Sequence, residues 1–225
     1  MELMIGGCIG FMFVHLAVSG TPLRAMLINM MGENAYLGTY SVLSLVTFGL
    51  MITGYGRLDH TDFVWQPSPV TYMATRVLVL VAMIFLILGS FTKNPTAVKS
   101  ESALDNEITG ILKVTRHPIQ WGILLFSIAH ILSNGDTTSL MFFGTVIAVS
   151  FLGMLAMDNR HGAENSPKWR DFMESTSMIP FMAILTGRAR FTLADVSWSG
   201  LGIAVAVYAA AYYMHGFLSG GVSLM

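Results

Sequence analysis

Five ionisable residues set in or beside apolar stretches are the candidates for chemistry. His15 lies in FMFVHLAVSGTPLR and His130 in LLFSIAHILSNGD; Arg116 and His117 open RHPIQWG, and Arg76 sits early in an apolar run that starts at Val70. Charged or titratable side chains at membrane depth are costly and as a rule serve a site or face a bundle interior. Two imidazoles from facing helices are one way to hold a haem iron inside a bundle. His15 and His130 come from different apolar blocks, and each has small neighbours, Ser19 and Gly20 for one, Ser127 and Ala129 for the other. The helical rise puts His15 about 9 Å and His130 about 19 Å above one edge of the bilayer, with His117 near that edge. Spacing alone therefore leaves His117 and His130 as alternative partners for His15. His117 and His130 themselves are about 3.6 turns apart and face different ways.

The other titratable residues offer less. Arg76 either snorkels to the interface or meets an anionic group such as a propionate or a lipid phosphate. His60 stands in LDHTD beside Asp59 and Asp62, where a metal site and a solvated loop are the two readings. His161 and His215 lie near block ends. Asp136 or Thr137 is placed to cap the helix that follows. None of the hydrolase, zincin, P-loop or dinucleotide-binding motifs occurs.

The elements that must position these residues are apolar blocks. Of 225 residues, 54% are hydrophobic and only 11% charged, with a mean hydropathy of +0.64; an average soluble domain carries about 25% charge. Six blocks stand out: Met4–Gly20, Asn34–Thr53, Val70–Phe91, His117–Ser133, Thr138–Met157 and Ser199–Leu218. Each is near the ~20 residues a membrane-crossing helix needs. The fold class predicted is an all-α polytopic membrane bundle of about six spans, a single domain, with the lipid bilayer as its partner. The first block has no basic leader and no clean cleavage pattern, so it reads as a membrane helix rather than a signal peptide. Ten of the twelve basic residues fall in the first, third and fifth connections, which makes that side cytoplasmic and puts both termini outside. A net charge of −1 gives no reason to expect nucleic acid. One cysteine, Cys8, excludes an internal disulfide and a multi-cysteine metal site within the chain.

A set of motifs carries a family resemblance: HLAVSGTPLR (15–24), TYSVLSL (39–45), GYGR (54–57), NP (94–95), TRHPIQWGILLFSIAHILSNGD (115–136), DNR (158–160) and TSMIPFMAILTGRAR (176–190). Together they resemble the NnrU family of bacterial membrane proteins, which is linked to denitrification and includes a plant zeta-carotene cis–trans isomerase branch. The likeness is strongest over residues 10–190. It implies a haem b held between helices, with His15 and His130 matching the two iron ligands of the isomerase branch. It also implies a role for the residue three before the second histidine. The isomerase branch uses a cysteine there as an alternative ligand on reduction, whereas this chain has Ser127, a far poorer ligand for iron. The RHPxxxG form at Arg116 and His117 is in addition similar to a motif of integral-membrane methyltransferases that hold S-adenosylmethionine at the cytoplasmic face.

Three functions follow as expectations. One is a haem protein of the inner membrane tied to nitrogen-oxide or redox metabolism, with His15 and His130 on iron and Arg76, Arg116 and His117 as further cofactor contacts. Another is a haem-dependent isomerase of a hydrophobic polyene. The last is a non-haem accessory protein whose histidines are only packed.

Overall fold

The computed structural model describes residues 1–97, 99–164 and 166–218. Among them the regular structure is helical, with one isolated antiparallel bridge between Phe63 and Asp136. The all-α expectation holds, and its cause is elementary: in lipid the backbone must bond to itself, which a helix does within one segment. The helices are α1 (Glu2–Met12), α2 (Leu23–Met31), α3 (Glu33–Tyr55), α4 (Pro69–Phe91), α5 (Ile111–Val114), α6 (Pro118–Asn134), α7 (Thr137–Ala163), α8 (Pro167–Ser175), α9 (Met182–Leu185) and α10 (Trp198–Leu218). Among the described residues, α3, α4, α7 and α10 are long and apolar enough to cross a bilayer. A fifth span results if the bent pair Glu2–Val18 and Leu23–Met31 is one. The fourth block is α6, whose 17 residues reach only about 25 Å, short of the ~30 Å hydrocarbon core. Outward-facing Val42, Leu45, Val46, Val70 and Met73 are exposed, as suits side chains whose solvent is lipid.

The chain divides into two compact units. The first comprises Met1–Thr75 and Ser127–Arg160, the second Arg76–Phe126 and His161–Met225.

In the first unit α1 lies against α3, and small residues let the backbones meet. A Cβ on Gly54 would stand 2.6 Å from the Met4 nitrogen, and one on Gly7 2.6 Å from the Met51 nitrogen, so both positions require glycine. After Met12 the chain continues as a π-helical turn, Phe13–Val18. It then breaks at Ser19–Pro22, and α2 leaves at 83°. The sequence reads as one uninterrupted span over Met4–Gly20. The break follows from Pro22, which has no amide hydrogen to donate and fits only at a helix start; Thr21 Oγ1 accepts the Leu23 amide at 3.2 Å.

The opposite end of this unit is tied by Asp136. As expected of a cap, its carboxylate accepts the Ser139 amide at 2.9 Å in the first turn of α7. It also meets His60 Nδ1 at 3.0 Å. Burial works against the charged carboxyl, but the bonds from Ser139 and His60 outweigh it and hold the group below its usual value. His60 is thus bound to Asp136, and among the described residues no group of three metal-ligating side chains forms around it or elsewhere.

The second unit is organised around the single turn α5. Ile111 and Val114 join Phe85 in one cluster, with Trp121 and Ile184 packed on it, while Leu112 joins Trp169 and Phe172 in another. One short helix therefore serves two cores.

Candidate functional site

His15 sits inside the π-helical turn, a feature that recurs at functional sites. Its Nδ1 lies 2.9 Å from the Phe11 carbonyl oxygen. A carbonyl can only accept, so Nδ1 carries the proton and the lone pair resides on Nε2. A metal-binding imidazole is normally oriented in this way by a second bond. The ring lies 4.1 Å from that of Phe11 and 5.3 Å, edge-on, from that of Tyr40.

His130 belongs to the same unit. Its ring stacks on Phe143 of α7 at 4.9 Å and 30°. The preceding residue, Ala129, is fully buried, and its carbonyl oxygen accepts Thr75 Oγ1 at 2.9 Å, which fixes the start of α4 against α6. The two imidazoles are joined by a continuous series of ring contacts through Phe11, Phe48, Phe142 and Phe143, with no step above 6.1 Å. Each imidazole is thus set among aromatic rings. Nitrogen donors in apolar surroundings suit a transition metal such as iron better than a hard cation, which wants oxygen ligands.

Three other residues singled out from the sequence belong to the second unit. Arg116 is 9% and His117 0% exposed, so neither snorkels. The Arg116 amide donates to the Ser177 carbonyl oxygen at 2.9 Å. Its own carbonyl oxygen accepts Asn94 Nδ2 at 3.0 Å and Thr96 Oγ1 at 3.2 Å. Beside it Thr115 Oγ1 and Trp121 Nε1 both donate to the Met178 carbonyl oxygen, at 2.7 and 2.8 Å. The RHP run is thus the knot that ties α5 and α6 to the 176–179 segment. Arg76 places its guanidinium 5.6 Å over the Tyr212 ring, a cation–π partner that the sequence does not indicate.

The remaining histidine of this unit with defined contacts is His161, stacked on Trp169 at 3.6 Å and bonded to Glu164 at 2.9 Å. The unit also holds an apolar cavity of about 470 Å³ between α4, α5, the segment 191–197 and α10, with Phe85, Phe91, Phe181 and Leu201 in its walls. At its polar end Asp195 pairs with Lys113 at 2.7 Å.

Sequence reasoning singled out His15 and His130 but not Phe11, Tyr40 and Phe143, which pack on the two rings. Phe11 was within reach, since position i−4 of a helix supplies the carbonyl nearest a side chain at i. Phe143 was not, because α7 is apolar over its whole length and offers no face to read.

Apolar spans of this length and number define an integral-membrane helix bundle. The family is narrower: the chain belongs to the NnrU family, whose model, described as NnrU protein, matches residues 3–223. Among curated proteins it is similar to the chloroplastic 15-cis-zeta-carotene isomerases of Arabidopsis thaliana and Zea mays. The first is 28% identical over 79% of this chain and 49% of the relative, the second 25% over 71% and 44%. The chain thus spans about half the length of these curated relatives. No solved structure gives a significant match.

Proposed function

We propose that the first unit binds haem b, with His15 and His130 as the two axial ligands. The observation that carries this reading is the bond from His15 Nδ1 to the Phe11 carbonyl oxygen, which presents Nε2 as a donor from a π-helical turn. Membership of a family that includes haem-type isomerases, by the resemblance drawn above, supports it. The group would supply redox or ligand-exchange chemistry at its iron; the chain's residues hold it, exclude water with Phe48, Phe142 and Phe143, and fix the imidazole tautomer. In the cell the protein acts in nitrogen-oxide or redox metabolism at the bacterial inner membrane, with both termini outside.

A second reading is favoured by the relatives' own description as zeta-carotene isomerases: a double-bond isomerase of a hydrophobic polyene. The apolar cavity of the second unit is the candidate for admitting a hydrophobic small molecule. Ser127, 1% exposed, stands where that branch has its cysteine, and for this reason the haem-protein reading is preferred to the isomerase. The test is the absorbance spectrum of the purified full-length chain. A haem band that His15→Ala and His130→Ala each abolish or shift is the expected result. Absence of a band, or one indifferent to both substitutions, overturns the ligand assignment and leaves the accessory-protein reading.

A further inference from the structure

The apolar cavity of the second unit has a definite depth and a rim that meets lipid. Along α4 its wall runs from Ile84 to Phe91, about 10 Å of helical rise. Phe91 closes α4 and Trp198 opens α10, and the wall includes both Phe91 and Ser197, so the two spans end together at the rim. Large apolar side chains stand exposed there, Phe91 at 71% and Trp198 at 68%. Tryptophan at a span end marks the level of the headgroups, and the cavity runs from that level toward the hydrocarbon. Phe181, also in the wall, has φ +65°, a conformation that bulky residues rarely adopt; its amide is tied to the Val114 carbonyl oxygen at 2.8 Å. Residues held this way by their surroundings gather at ligand clamps.

The charge at the rim is one-sided. Inside, Asp195 is matched by Lys113. Lys93 follows the wall residues Phe91 and Thr92, and Arg190 precedes the wall residue Phe191. Both cations are exposed, and neither has an ion pair or hydrogen bond among the described residues. Arg188 donates to the Glu174 and Thr176 carbonyl oxygens and to Thr186 Oγ1, neutral acceptors that leave its charge unmatched. Cations at headgroup level above a charge-balanced apolar cavity suit a molecule with an anionic head and an apolar chain, which a bilayer leaflet supplies. Lysine and arginine are both phosphate binders.

We propose that this cavity seats an acyl chain of an anionic phospholipid, with the phosphate at Lys93 and Arg190. A free phosphate would leave the apolar wall uncovered, and a neutral lipid would leave the cations unmatched. The inference does not rest on the ligation by His15 and His130, and it gives the cavity an occupant other than the polyene of the second reading.

The experiment is native mass spectrometry of the purified full-length chain, delipidated in a non-ionic detergent and titrated with phosphatidylglycerol or with phosphatidylcholine of the same acyl chains. One phosphatidylglycerol is expected to bind about tenfold or more tighter than phosphatidylcholine, as a charge-assisted contact implies. Lys93→Gln with Arg190→Gln should remove most of that preference and leave phosphatidylcholine binding unchanged. Leu201→Trp, which adds bulk to the wall, should weaken both lipids about tenfold, and circular dichroism reports that the variants fold. Dihexanoyl phosphatidylglycerol keeps the head but shortens the chains; it should bind the native protein about tenfold or more weaker, a readout that needs no variant. If the two headgroups bind alike, the cations select nothing and the assignment is overturned. It is equally overturned if Leu201→Trp and the short chains leave affinity intact, which would put the lipid on the surface and not in the cavity. A carotene in excess should leave the phospholipid bound. Displacement by carotene gives the cavity to the polyene and overturns the assignment, while the haem spectrum, read separately, bears only on the ligation.

Discussion

The proton on His15 Nδ1 is committed to the carbonyl oxygen of Phe11, one turn back and 2.9 Å away. His161 is equally well bonded, to Glu164, and lies face to face with Trp169. His117 is fully buried within the network that ties α5 to the 176–179 segment. The three histidines thus sit in three different environments, which the proposed ligation must tell apart.

The first expectation concerns that contrast. His15→Ala and His130→Ala should remove or shift the haem band, whereas His117→Ala and His161→Ala should leave its position unchanged. The latter two should instead lower thermal stability, by about 1–3 kcal/mol each, as truncation of a buried, packed side chain does. Absorbance and thermal unfolding on the same preparations check both halves. A band that vanishes in His117→Ala and survives His130→Ala would exchange the ligand assignment between them.

The second concerns the α1–α3 contact. A Cβ at Gly54 would strike the Met4 backbone, whereas Gly38 and Gly49 of the same helix have nothing within 4 Å. Gly54→Ala should cost about 2–3 kcal/mol, since backbone cannot step aside as a side chain can. Gly49→Ala should be neutral or stabilise by up to about 1 kcal/mol through the helix propensity gained. Unfolding in detergent by denaturant titration gives both numbers.

The helices themselves were legible because lipid demands long apolar runs, and every block contains one. The first block ends at Gly20, where the chain breaks before Pro22, but the π-helical turn and the sharply angled α2 beyond it carry no apolar signature of their own. Contacts between distant residues were not. Asp136 is visible as a cap, but its partner His60 is 76 residues away. Arg116 looks like an interfacial cation because its burial depends on Asn94, Thr96 and Ser177, none of which is close in sequence.

The third follows from Asp195, which lies outside the spans. Its carboxylate pairs with Lys113 at 2.7 Å with a side chain only 6% exposed. That pair, helped by bonds from Thr192 and Gly110, holds the carboxyl well below its usual value. A depressed folded-state pKa means that the unfolded chain takes up the proton first. The contribution is therefore complete above about pH 4 and is lost as pH falls through the folded value. Thermal stability should not change with pH near neutrality through this pair, and should fall on acidification. Asp195→Asn should be less stable than the native chain at pH 7, and the gap should narrow as the pH drops below 4. A gap of constant size would show that the pair contributes nothing through charge.

The last concerns Ser127. It is buried, and it precedes His130 by three residues on α6, so the two side chains share a face of the helix. A thiolate at 127 would therefore compete with the His130 imidazole for the same side of an iron, whereas the native hydroxyl is too weak a donor to do so. Two outcomes are expected. The native protein, reduced and supplied with a poly-cis carotene, should leave the isomer composition unchanged by chromatography. Ser127→Cys should give a haem spectrum that depends on redox state, and His130→Ala in that background should retain haem that His130→Ala alone loses. If Ser127→Cys also converts the carotene, the missing thiolate is what separates this chain from its isomerase relatives. If the native protein converts it unaided, the preference for a haem protein without isomerase activity is wrong, and polyene isomerisation needs no thiolate at this position.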